Sequence, residues 1–179
     1  MIYPLKTVIN LKSLTRRAKF LEVLVLTLLG VLMYVSQVVM SALPNIEIVS
    51  LLIIVTAHKF GVKALSSVYV FVMCEIMTYG LSMWVINYLY VWAFFCVIVC
   101  LIRKIGNTWV YTLIATVFGL AFGTLCSVPY FFIGGISMGI SYIVGGISFD
   151  LLHCGGNFIT TLFLSKPLIK ALDKALKTA

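Results

Sequence analysis

Apolar positions run along the chain in long stretches, and polar positions are confined mainly to the short gaps between them. Six stretches stand out: Phe20–Ala42, Ile46–His58, Ala64–Met83, Ile86–Ile102, Thr108–Phe132 and Ser141–Leu164. A helix that crosses a bilayer needs about 20 mostly apolar residues. The pattern therefore predicts an all-α membrane protein with six transmembrane helices, spans 1 to 6. Span 2 is the exception in length. Its 13 residues make about 20 Å of helix, against about 30 Å of hydrocarbon. The connection before it must dip into the membrane or be covered by protein, because irregular backbone at that depth is tolerated only when buried or lining a cavity.

Composition agrees with the pattern. Of 179 residues, 63% are hydrophobic and 10% charged, with a mean hydropathy of +1.16. Soluble domains have about 45–50% apolar and about 25% charged residues, so the excess belongs to a bilayer rather than to a larger core. One integral membrane domain covers residues 1–179, with a basic segment over 1–19 and a basic tail over 166–179. The lead "MIYPLKTVINLKSLTRRAK" is too long for a cleavable signal, and no small-residue cleavage site follows a short apolar core. The five cysteines all fall in apolar stretches without a Cys-x-x-Cys pattern and are read as small buried hydrophobes.

Charge sets the orientation. Lys6, Lys12, Arg16, Arg17 and Lys19 precede span 1, Lys59 and Lys63 separate spans 2 and 3, Arg103 and Lys104 separate spans 4 and 5, and Lys166, Lys170, Lys174 and Lys177 follow span 6. The other three connections carry no Lys or Arg. Basic residues favour the cytoplasmic side, so both termini are expected there, in a bacterial cell membrane. The net charge of +8 then reports topology and attraction to anionic membrane lipid, and nucleic acid is not an expected partner. "LKTVINLKSLTRRAK" and "SKPLIKALDKALK" are expected to lie as surface helices, the latter with Leu168, Leu172 and Leu176 on one face.

The opposite connections read "SALPNIEIVS", "YGLSMWVINYLYVW" and "SVPYFFIGGISMG". Trp84, Tyr88 and Tyr130 stand among them. Such rings form interfacial belts, but the basic side has few, which favours an aromatic-lined mouth facing outward. In "LPNIE", Asn45 and Glu47 would sit at the edge of a cavity. Asn45 is equally placed to cap span 2, with Glu47 favourable near the helix N-terminus.

Polar groups inside the spans come next. Asp150, His153 and Asn157 share one face of span 6 at i, i+3 and i+7. Asp150 lies about 13 Å below the outer end, His153 about 4 Å deeper and Asn157 about 6 Å deeper again. Glu75, about 16 Å from the inner end of span 3, is level with Asp150. Ionisable groups at the bilayer centre cost at least about 2.5 kcal/mol each and normally face the protein interior. Two roles stay open: hydrogen bonds between helices, with His153 as a partner for Asp150 or Glu75, and the wall of a binding site. If the two acids meet, both are charged only with a cation or His153 between them, which admits an amine-bearing ligand. The pairs in "GLAFG" and "GGISMG" allow helices to approach closely.

No Gly-x-x-x-x-Gly-Lys-Ser/Thr loop and no His-Glu-x-x-His occurs. The chain carries no ATP site of its own. Asp150-x-x-His153 with Glu75 falls short of a catalytic metal site, which wants three ligands and an ordered second shell. No enzyme, metal or resident cofactor is expected; a solitary channel or facilitator, and behind it an intramembrane hydrolase, are the alternatives.

The phrases "ALPNIEIVSLLIIV", "FGVKAL", "WVINYLYVW" and "GISFDLLHCGGNFITTLFLSKPLIKAL" together resemble the S components of energy-coupling-factor (ECF-type) vitamin transporters, over nearly the whole chain. The resemblance implies a six-helix bundle that binds a vitamin or related micronutrient from outside with high affinity. It implies no ATPase activity, and docking on a transmembrane coupling subunit with two cytoplasmic ATPases. ATP is then used by those partners. The family's site, formed by the 1–2 loop and the outer parts of spans 4 to 6, maps here onto Asn45, Glu47, Trp84, Asn87, Tyr88, Tyr130, Asp150 and His153. Glu75 joins them from the depth argument alone. The family's small-residue docking patch on span 1 would fall on Thr27 and Gly30, although this chain lacks its strict Ala-x-x-x-Ala form.

Overall fold

The computed structural model describes residues 16–43 and 46–178. It is an all-α bundle: α1 (Arg16–Val39), α2 (Val49–Phe60), α3 (Ala64–Tyr79), α4 (Met83–Ile102), α5 (Thr108–Cys126) and α6 (Val128–Thr178). Among the described residues, five helical segments are long and apolar enough to cross a membrane: Ala18–Val39, Val49–Tyr79, Met83–Ile102, Thr108–Cys126 and Val128–Lys177. The expected count of six is therefore corrected to five. The reason is α2. Its 12 residues amount to about 18 Å, too little to span alone, and a 3₁₀ turn over Gly61–Lys63 runs it into α3. Every residue from Val49 to His58 is buried. A mostly apolar helix buried on every side is an interior element, not a further lipid-facing span.

Gly61 makes the turn. Its φ of 61° lies in the left-handed region that side chains disfavour. A Cβ there would also stand 2.8 Å from the guanidinium of Arg103. Beyond the turn, the Lys63 ammonium donates to both carboxylate oxygens of Glu22 at 2.7 Å. The Ser67 hydroxyl donates to the Leu26 carbonyl at 2.7 Å. Lys59 donates to Asp173 on α6, and His58 Nδ1 lies 2.7 Å from the Tyr111 hydroxyl. The starts of α1 and α3, and the ends of α2, α4 and α6, thus gather at one basic end of the bundle.

Two further boundaries differ from expectation. Span 5 was expected to reach Phe132, but α5 stops at Cys126 and α6 begins at Val128, with Pro129 in its first turn. Proline is tolerated there because first-turn amides lack helical partners anyway. Gly135 then breaks α6 with φ 69°. The tail expected as a separate surface helix instead continues α6, with Ile169 buried and Leu168 and Leu172 packed on the core.

The outside of the bundle is apolar, and polar side chains are kept inside beside the apolar core. Phe20, Val23, Leu28, Leu113, Phe149 and Phe163 are exposed, whereas Glu47, Ser50, Glu75, Asn87, Asp150, His153 and Asn157 are buried. Such inversion suits hydrocarbon as solvent. Close approach of α5 and α6 depends on Gly119 and Gly123. A Cβ on Gly119 would lie 2.8 Å from the His153 carbonyl carbon, and one on Gly123 would lie 2.6 Å from Asp150 Oδ2. This small-residue packing lets the α6 polar face reach the interior.

Candidate functional site

A cavity of about 340 Å³ opens among α1, α3, α4, α5 and α6 at the end away from the basic cluster. Its wall is built from the connection after α1 (Met40, Ser41, Leu43, Ile46 and Glu47) and from side chains on the helices. Turns tie that connection down: Ser41 N–H donates to Val38 O at 3.2 Å and Leu43 N–H to Met40 O at 2.8 Å. As expected from the shortness of α2, this irregular backbone lines a cavity.

Glu47 has two tasks. Its Oε2 accepts the Ser50 amide at 2.9 Å, which satisfies one of the free N–H groups at the start of α2. Its Oε1 accepts from His153 Nε2 at 3.0 Å. The cap residue of α2 is Ile48, with no side-chain cap bond of its own, so Glu47 does the work assigned above to Asn45. Asn45 itself lies outside the described residues. The carboxylate holds Nε2, and the His153 Nδ1 atom is buried without a hydrogen-bond partner among the described residues.

Glu75 lines the same cavity. It is 0% exposed, and neither carboxylate oxygen has a hydrogen-bond partner among the described residues. Opposite it stands a cluster of rings. Trp84 and Tyr88 meet edge-on with centroids 5.1 Å apart, Tyr79 and Trp84 at 5.3 Å, and Tyr88 and Trp92 at 5.4 Å. Phe122 sits 4.8 Å from the His153 ring. Gln37 donates to the Tyr88 hydroxyl at 3.0 Å and keeps its Oε1 unpartnered.

A second cavity of about 510 Å³ lies between α4, α5 and α6, with Trp84, Tyr88 and Phe122 common to both walls. It contains Asn87 and Asp150. Asp150 Oδ1 accepts the Gly123 amide at 2.9 Å. Asn87 is fully buried, with Nδ2 unpartnered. Asp150 and Glu75 therefore face different cavities, and His153 pairs with Glu47 rather than with either of them. The shared face of α6 is real, but its three residues bind three different partners. Asn157 donates to Ser50 Oγ at 3.2 Å and to the Ala115 carbonyl at 3.1 Å, a tie between helices.

Tyr130 is not on either wall. It stacks behind Tyr142 at 4.2 Å, and Tyr142 is the ring that faces the second cavity. Gly30 is turned inward, where a Cβ would lie 2.5 Å from the Ser67 carbonyl oxygen. Its small size serves the α1–α3 contact, so the expected docking role has no open surface at that residue. Thr27 is exposed, its hydroxyl bonded back to Val23 O at 2.9 Å. Sequence reasoning missed Gln37 and Phe122, and it grouped Trp92 with the rings of the outward mouth without naming it as a site residue. Gln37 had a signal, as the one amide in an apolar run, whereas Phe122 looks like ordinary core.

Comparison with family models, with characterised proteins and with solved structures gave no match. What stands is a multi-span, all-helical membrane protein with interior cavities suited to a role in transport.

Proposed function

We propose that this chain is the substrate-capturing membrane subunit of an ECF-type importer, holding a vitamin-like micronutrient in the aromatic cavity and handing it across the membrane. The observation that carries this reading is the cavity itself: a few placed polar groups among aromatic rings, the usual make-up of a small-molecule site. Three of the four stretches that resemble S components contribute to its walls. "ALPNIEIVSLL" contributes Glu47, "WVINYLYVW" contributes Trp84, Tyr88 and Trp92, and "GISFDLLHCGGN" contributes His153. The basic end is assigned to the cytoplasm by the positive-inside rule, which turns the cavity outward. With no nucleotide-binding loop in the sequence, the energy for uptake comes from partner subunits.

Affinity purification of the tagged chain from its native membrane tests this. Two ATPases and a large membrane subunit are expected to co-purify, and uptake in liposomes is expected to need all of them with ATP. Saturable, ATP-independent uptake by the solitary chain would instead establish a facilitator.

A further inference from the structure

We infer that the occupant of the first cavity is a planar molecule carrying an amidinium or ammonium group, held through Glu75. This rests on the reading above that the cavity captures a small molecule, and it names the class. Of the five acids in the chain, four already have partners. Glu22 and Asp173 receive lysines, Glu47 receives Ser50 N–H and His153, and Asp150 receives Gly123 N–H. Glu75 alone is fully buried with both oxygens unpartnered among the described residues, and it belongs to the cavity wall. Buried polar groups are normally hydrogen-bonded. An acid kept out of every available pairing therefore points to a partner that arrives from outside.

The surroundings specify that partner. Among the described residues no Lys or Arg lines the cavity; Lys59 and Lys63 are bound to acids at the other end of the bundle. The unused Oε1 of Gln37 adds a further acceptor. Two carboxylate oxygens match the paired N–H groups of an amidinium or amino-heterocycle edge. The ring cluster of Trp84, Tyr88 and Trp92 offers negative π faces to the same cation. An anion would find two carboxylates and no fixed positive charge. In size, about 340 Å³ lies at the small end of small-molecule sites, which run from about 300 to 1,000 Å³, enough for one ring and a short arm.

The test is a charge series of matched shape, read by fluorescence quenching of Trp84 and Trp92 in detergent-purified protein: benzamidinium, neutral benzamide and benzoate. Benzamidinium is expected to bind at least tenfold tighter than either of the others, and Glu75→Gln is expected to abolish that preference. Equal or tighter binding of benzamide or benzoate overturns the proposal, as does a series in which no probe binds or a preference that survives in Glu75→Gln. If Glu75→Gln fails to fold, the wild-type series decides alone. None of these outcomes touches the co-purification of ATPase partners, so failure of the ligand class and failure of the importer reading are told apart.

Discussion

The two ends of the bundle treat acids in opposite ways. At the basic end, Glu22 holds Lys63 at 2.7 Å and Asp173 holds Lys59. Both pairs are partly exposed, and each joins helices distant in sequence. At the cavity end, Glu47 is locked by Ser50 and His153, while Glu75 has no hydrogen-bond partner among the described residues. Pairing marks the acids that hold the fold, and its absence marks the acid left for a ligand. An acid buried without a partner is not maintained by stability alone.

Substitutions can break this contrast or sharpen it. The largest effect is expected for Glu47→Met, which strips His153 of its partner and removes the bond at the start of α2. Breaking a buried pair costs about 3–5 kcal/mol, to be read as a lowered unfolding midpoint in detergent. Next comes Gly123→Val, whose Cβ would lie 2.6 Å from Asp150 Oδ2. Overpacking of this kind costs about 1–3 kcal/mol, and crosslinking between cysteines placed on α5 and α6 would show the helices pushed apart. Glu75→Gln is expected to weaken binding of a cationic ligand by about tenfold, or about 1.4 kcal/mol, with unfolding unchanged; titration calorimetry beside a melting curve separates the two. Smallest is Lys63→Ala at the basic end. Its ion pair is 42% exposed on the lysine side, and such pairs contribute at most about 1 kcal/mol, so a midpoint shift at the edge of detection is expected.

How much of this was legible in the sequence follows from the reach of each signal. Hydropathy located the apolar helices, because burial in lipid demands long uninterrupted runs. It miscounted the spans because a helix enclosed by other helices is as apolar as one facing lipid, and α2 is enclosed. Face arithmetic correctly grouped Asp150, His153 and Asn157, since helical spacing is local. It did not reveal that His153 meets Glu47, 106 positions away, because nothing local encodes a partner on another helix. Tyr130 was expected on the cavity wall for a similar reason, and nothing local encodes its stacking on Tyr142, 12 positions on. Glu75 was found from depth alone. An acid in the middle of an apolar helix is visible in any sequence, whereas its lack of a partner is visible only in three dimensions.

The claim that Glu75 is kept for a ligand rather than for the fold is tested most directly by melting Glu75→Met and Glu47→Met side by side without ligand in one detergent. Methionine is close to glutamate in length and removes the charge. Glu75→Met is expected to hold or raise the midpoint, because it replaces an unpartnered buried carboxylate with apolar volume. Glu47→Met is expected to lower it by several degrees, at about 2–4 °C per kcal/mol for a chain of this size. A fall in Glu75→Met as large as that in Glu47→Met would contradict the account and make Glu75 part of the scaffold.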